Sequence, residues 1–315
     1  MKILRIIIEN YGRLEFGEEL SINFCGRNNI NNLRCCSIEA HYLKLFLDFV
    51  TGRKTEYELK QNHLYYKNNS PFSFTITIED KDIFSYNIEF SENCELLSEC
   101  LTINGVMWGF LNCMDNTFEE GECFGQGIED PELEADLLIN SINNHKKGNI
   151  FFPIAFKRFE KLINQIVIID TYEFQKIGDI KNNLNNLPAD ISKSTRNIIP
   201  VLGLGITKVT KNWEFCSVND PTGTIPLESH GSGLITLLRI IPLMISSISY
   251  GTCAIMLPIS GSLHPVLEQH LLNHFITEVN SINFTGQFIF TTMQEECMTH
   301  ENIITDEYKA EINII

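Results

Sequence analysis

Residues 72–90 carry the clearest pattern in the chain. Apolar and polar positions alternate through FSFTITIED and again through IFSYNIEF, the period of a half-buried strand. The break at Lys81-Asp82 predicts the turn of a β-hairpin. β-Branched residues predict a strand over Lys2–Ile8, NYG (Asn10–Gly12) a turn, and ELSINF (Glu19–Phe24) a second strand. After the polar stretch CGRNNINNLRCC, the run Ser37–Val50 switches to helical apolar spacing, with Ser37 as its N-cap.

The middle of the chain is weaker. Phe118–Asp136 is acidic, contains glycine and Pro131, and reads as a surface loop leading into a helix over Leu133–Asn143. QIVIID (Gln165–Asp170) suits a buried strand. Ile180–Lys193 is Asn-rich and weakly periodic, and reads as an exposed helical arm or loop. VLGLGITKV opens another strand-like region. The last third is better ordered. ESHGSG (Glu228–Gly233) precedes an apolar helix over Leu234–Ile248, and Pro242 predicts a kink or restart within it. TCAIMLP reads as a buried strand. SLHPVLEQHLLNHFITEVN reads as a helix with Pro265 in its first turn and Leu267, Leu271, Leu272, Phe275 and Val279 on one face. GQFIFTT reads as a final buried strand. Strand, helix, strand, helix, strand predicts an α/β domain with a parallel sheet.

Composition narrows the function. The chain has 315 residues, 43% of them hydrophobic, so a sizeable core is expected. Acidic residues outnumber basic ones 40 to 24, a formal charge of −16. That disfavours a broad nucleic-acid surface, which needs cations to displace counterions, and leaves a local basic groove or a basic partner open. MKILRIII is interrupted by Glu9 and Asn10 and reads as no secretory signal. Leu234–Ile248 carries Arg239 and is too short to span a bilayer. The ten cysteines read as reduced thiols of a cytoplasmic protein. Cys35-Cys36 are adjacent, and Cys94 and Cys100 are too far apart for a two-Cys metal knuckle.

Taken in order, MKILRIIIENYGRLEF, the loop at Gly26, the early hairpin, ESHGSGLITLL, the strand followed by SLHP, and FIFTT carry a resemblance over nearly the whole chain. The chain resembles the ABC/SMC-type ATPases of the prokaryotic AAA ATP-binding protein group, which is related to the overcoming-lysogenization-defect proteins of anti-phage defence. The resemblance implies a P-loop NTPase-like ATPase head. Its mixed sheet has flanking helices, an N-terminal antiparallel β-lobe over 1–110, a mainly helical insertion over 111–200 and a C-terminal lobe over 201–315. The nuclease domain fused to some relatives is expected to be absent.

The resemblance also marks positions where chemistry is missing. A working phosphate loop, G-x-x-x-x-G-K-[ST], cradles phosphates with glycine amides, reaches them with lysine and ligates magnesium with a hydroxyl. Gly26 matches its first glycine, and Asn28 lies within the loop. Asn31 stands for the second glycine, Asn32 for the lysine and Leu33 for the hydroxyl. Aligned through SLHP, the Walker B acids become Leu257 and Pro258, the acid of the following loop becomes Ser260, and the switch histidine becomes Met293. The signature survives as Glu228, Ser229, His230 and Gly231; in ABC-type dimers it contacts nucleotide held by the other subunit.

Simpler readings stand beside these. Asn28–Asn32 also reads as an ordinary polar loop. Ser229-His230 has no acid placed to complete a hydrolase triad. His264 reads as a helix-entry residue, Asn182–Asn197 as solvated surface, and Glu119–Asp136 lacks EF-hand spacing. The expectation is a catalytically degenerate ATPase-fold subunit with no catalytic residue and no bound metal. It would act as scaffold or sensor, as a homo-oligomer or in a complex with another defence-type subunit such as a nuclease or an active ATPase. No cofactor is expected, and ATP and magnesium only where a partner supplies the site. Two alternatives remain: a half-site partner lending its signature to an ATP-competent paralogue, and an active ATPase with a displaced site.

Overall fold

The computed structural model describes residues 1–34, 37–51, 56–65, 70–112, 117–120, 154–169, 177–256, 263, 265–292 and 311–314. By contacts the chain divides into two compact units. One comprises Met1–Cys25, Leu33–Ile166 and Lys309–Ile315; the other comprises Gly26–Asn32 and Val167–Tyr308. The division does not follow the expected lobes. The expected insertion over 111–200 is shared between both units, because its strands and helices complete cores on either side.

The first unit is built on an antiparallel sheet of eight strands. In sheet order these are β15 (Glu311–Ile314), β2 (Glu19–Asn23), β1 (Lys2–Glu9), β4 (Phe72–Glu79), β5 (Ile83–Phe90), β6 (Leu96–Ile103), β7 (Val106–Asn112) and β8 (Thr117–Glu120). The hairpin β4–β5 matches its alternation. Phe72, Phe74, Ile76 and Ile78 face Phe90, Ile88, Tyr86 and Phe84 across the strands, all buried. The opposite face is polar: Asn87 Nδ2 donates to Thr75 Oγ1 (2.9 Å) and Ser73 Oγ to a Glu9 carboxylate oxygen. One wet and one dry face is the usual arrangement of an antiparallel sheet. Helices α1 (Ser37–Val50) and α3 (Ile154–Ile163) supply aromatic rings to the dry face. Phe46 stacks on Phe74 at 4.8 Å, and Phe159 meets Tyr86 at 5.2 Å. Helix α2 (Glu56–Tyr65) brings His63 against Phe72 and accepts the Tyr11 hydroxyl at the Leu59 carbonyl.

Two expectations change here. Phe118–Glu120 is not loop but part of β8, paired with β7; the expected helix over Leu133–Asn143 lies outside the described residues. GQFIFTT is not the last strand, because β15 follows it and pairs with β2, Ile312 opposite Ile22 and Ile314 opposite Leu20.

The second unit holds a four-stranded sheet in the order β3 (Ile30–Arg34), β14 (Gln287–Thr292), β13 (Cys253–Met256) and β9 (Ile166–Ile169); the first and last of these strands reach across the boundary into the first unit. β13 and β14 run parallel. A small antiparallel sheet comprises β10 (Ile206–Val209), β11 (Glu214–Ser217) and β12 (Ile225–Pro226). Helices α4 (Ile177–Asn185), α5 (Ala189–Ile198), α6 (Ser232–Tyr250) and α7 (Pro265–Ser281) surround a core that includes Trp213, Phe215, Leu237, Ile241, Phe275 and Phe290.

The Asn-rich stretch is therefore not an exposed arm. It forms α4 and α5, whose Ile180, Leu184, Ile191 and Ile198 join this core while their asparagines face water. Helix α6 does not restart at Pro242. It runs unbroken from Ser232 to Tyr250, ending on Gly251 in the left-handed conformation at φ 62°. At that length it is long and apolar enough to cross a membrane by composition, so the expectation that it is too short is withdrawn. Its burial, 56% of the apolar window, makes it a core helix of this unit.

Candidate nucleotide face and signature turn

The stretch expected to be a phosphate loop is a tight turn followed by a strand. Arg27–Asn29 form a short 3-10 turn, and Ile30–Arg34 form β3. Asn31, Asn32 and Leu33 are at most 1% exposed. Only Cys35 and Cys36 separate β3 from α1. A phosphate loop joins a strand to a helix through its whole glycine-rich run. Two residues cannot provide that run, so Asn31, Asn32 and Leu33 are strand positions rather than loop positions. The reason is register: the chain enters the strand where the aligned motif would already be turning.

Each asparagine has a structural task. Asn28 and Asn29 adopt left-handed backbone, φ 55° and 62°, which asparagine tolerates better than most residues. Asn28 Nδ2 donates to Asn280 Oδ1 (2.8 Å), and Asn29 Nδ2 to the Phe284 carbonyl (3.2 Å). Asn31 Oδ1 accepts from Gln287 Nε2 (3.1 Å), while Gln287 Oε1 accepts the Cys253 thiol (3.5 Å). This polar chain links β3, β14 and β13. Burial pushes the Cys253 thiol up to about 12, so it is protonated and serves only as a weak donor. Gly26 is required by proximity: a Cβ there would collide with the Ile30 carbonyl and come within 2.6 Å of Asn31 Nδ2. Asn280, Phe284 and Gln287 were not singled out from sequence, and no local pattern near them signals these contacts.

The signature residues sit on a different element. Leu227–Ser229 form a 3-10 turn, and Gly231 is the N-cap of α6. Glu228, Ser229 and Gly231 are exposed. Glu228 accepts from Lys181 Nζ of α4 (3.2 Å). A hydrogen bond from its own backbone N–H, then the lysine, hold its carboxyl below the usual range. His230 packs edge-on against Phe215 at 4.7 Å. Burial lowers its pKa, opposed by a hydrogen bond to the Ile225 backbone. No side chain caps α6 and no acid lies in its first turn, so its partial positive end faces water. Among the described residues, no third group is recorded beside Ser229 and His230 that would make them a catalytic pair. Leu257, Pro258, Ser260, His264 and Met293 lie outside the described residues. No cluster of three or more His, Cys, Asp or Glu with metal-holding geometry occurs among the described residues.

No protein-family profile matches the chain, and no curated protein matches its sequence. Solved structures do. The SMC head domain from Thermotoga maritima is 10% identical, with a TM-score of 0.51 over 100% of this chain and 99% of that one. The recombination mediator protein RecF with ATP gives a TM-score of 0.39 at 9% identity, covering 100% of this chain and 97% of that one. The antiparallel sheet, the parallel pair β13–β14 and the flanking helices, together with the full-length match to the SMC head, make this a mixed α/β chain with the ABC/SMC-type ATPase-head fold.

Proposed function

We propose that this protein is a catalytically degenerate ATPase-fold subunit that works as a scaffold or sensor within a larger cytoplasmic complex. The observation that carries this reading is the two-residue connection between β3 and α1, with Asn31, Asn32 and Leu33 buried in the strand. Without a glycine-rich run and a lysine between β3 and α1, a nucleotide loses the cradle and the cation that a phosphate loop supplies. The test is a calorimetric titration of the pure protein with Mg-ATP. No saturable binding is expected up to about 1 mM; a Kd near or below about 100 μM, within the range common for enzyme substrates, overturns the reading. An anti-phage role, with self-association or a nuclease or active ATPase as partner, follows from the sequence resemblance and is part of the same proposal.

A second reading is favoured by one observation. Ser229 and Gly231 are exposed at the uncapped start of α6, a ready anion-binding end. In this reading the chain lends that end to nucleotide held by an ATP-competent partner. Gly231→Asp, which places a carboxylate there, then removes ATP turnover from the native complex. Unchanged turnover discards the half-site role and leaves the scaffold.

A further inference from the structure

We propose that the chain self-associates through two different surfaces, a basic patch on the second unit of one copy meeting an acidic turn on the first unit of another.

Charge is spread unevenly along the sequence. Over the whole chain acidic residues outnumber basic ones 40 to 24, but residues 177–256 hold six lysines and arginines against five acids. Four of those cations gather on neighbouring elements. Lys193 and Arg196 lie about one turn apart on α5, which packs on β10. The Arg196 guanidinium carbon sits 5.6 Å from the centre of the Trp213 ring, which brings α5 to the β10–β11 turn. That hairpin carries Lys208 and Lys211. Lys193, Lys208 and Lys211 are exposed, and Arg196 is partly so. Asp190 and Glu214 are close in sequence. Even so, among the described residues none of the four cations forms an ion pair, whereas Lys44, Arg158 and Lys181 each take a carboxylate.

The first unit shows the opposite pattern. No lysine or arginine occurs from Asp82 to His145. Within that run the β5–β6 turn presents Glu89, Glu92 and Glu95, all exposed. The turn is held by its own backbone: the Cys94 N–H donates to the Ser91 carbonyl (2.8 Å), and the Ser91 N–H to the Glu95 carbonyl (2.8 Å). Ser98 Oγ donates to Glu89 (2.9 Å). None of these three acids pairs with a cation among the described residues.

A single exposed pair is weak, so a contact needs several at once. Four cations facing three carboxylates supply them, and complementary potentials also fix the register. Because the two surfaces differ, the contact is heterologous and extends beyond two copies. Net charge sets the conditions: copies at −16 repel one another at long range. At about 0.1 M salt the Debye length is about 10 Å, which screens remote acids but not charges in contact; at about 1 M it is about 3 Å, which weakens both. The inference deepens the self-association named above but rests on charge placement alone, so its failure leaves the outcome of the ATP titration untouched.

Sedimentation velocity of the full chain tests it, at about 100 μM, enough to reveal a sub-millimolar Kd. At about 0.1 M salt the parent is expected to sediment as oligomers, and at about 1 M salt as monomer. Lys193→Glu with Lys211→Glu removes the patch, and Glu92→Lys with Glu95→Lys removes the turn. Each double variant alone is expected to be monomeric. Mixed in equal amounts, they keep one intact patch and one intact turn between them, so they are expected to form a dimer and nothing larger. All four positions are exposed, and thermal unfolding checks that both variants fold. The proposal is overturned if the parent is monomeric at 0.1 M salt, if either variant alone associates as the parent does, or if the mixture stays monomeric.

Discussion

Gly26→Ala drives a methyl group into the Ile30 carbonyl. We expect it to cost about 2–4 kcal/mol, read from urea unfolding, although the residue takes part in no chemistry. Asn32→Lys, which would restore a phosphate-loop lysine on paper, places a charge at a fully buried strand position. It should cost about 3 kcal/mol or more and leave Mg-ATP binding undetectable by calorimetry; a gain of binding would contradict the strand assignment. Glu268 on α7 is 6% exposed, and burial pushes its carboxyl up to about 7 from 4.5. Between pH 4.5 and 7 the folded chain keeps a proton that the unfolded chain releases, so stability falls as pH rises through that window and levels off above it. Glu268→Gln should remove the slope. It should exceed the parent by roughly 3 kcal/mol at pH 8 and converge on it below pH 4.5, as followed by denaturant melts across pH. Residue identities were fully legible in the sequence, but their tasks were not. Asn28 and Asn31 looked like remnants of a phosphate loop because their actual partners lie more than 250 positions away.

Elements with strict local patterning were read well. The alternation of β4 and β5 and the apolar spacing of α1 and α7 gave bounds close to the observed ones, since burial on one face leaves little freedom in register. β3 was missed because INNLR holds two asparagines, poor strand formers, and only the neighbouring strand makes it extended. β6 and β7 were missed although Asn104-Gly105 between them is a strong hairpin signal. Both residues have positive φ, 52° and 79°. Asn104 Oδ1 accepts from the Ile83 N–H (2.9 Å), and its Nδ2 donates to Asp82 (3.0 Å). Arg158 of α3 also pairs with Asp82 at 2.8 Å, so this corner ties two hairpins to a helix. Gly105→Ala meets no neighbouring atom within 4 Å. Its cost is purely conformational, about 1 kcal/mol, and a thermal melt should register it as a small, uniform loss.

At the scale of the molecule, the sheet of the first unit is closed at one side by β15, drawn from the far end of the chain. Removing residues 311–315 uncovers the hydrogen-bonding edge of β2, an aggregation template. We expect the truncated protein to elute partly as large aggregates in gel filtration and to exchange β1 and β2 amides faster than those of α6 and α7. Uniform exchange in both units would argue against this. The fold class was legible from the order of strands and helices, whereas the interleaving of the units was not, because nothing in a local window reports which distant segment completes a sheet.

That interleaving sets a timetable for synthesis. Asn31 is made first, and its partner Gln287 follows 256 residues later. At 5–20 residues per second the wait is roughly 13–50 s. During it β3 has no β14 to pair with, and β2 waits longer still for β15. Neither sheet can be completed before its late strand is made, so each stays unfinished long after its first strands have been synthesised.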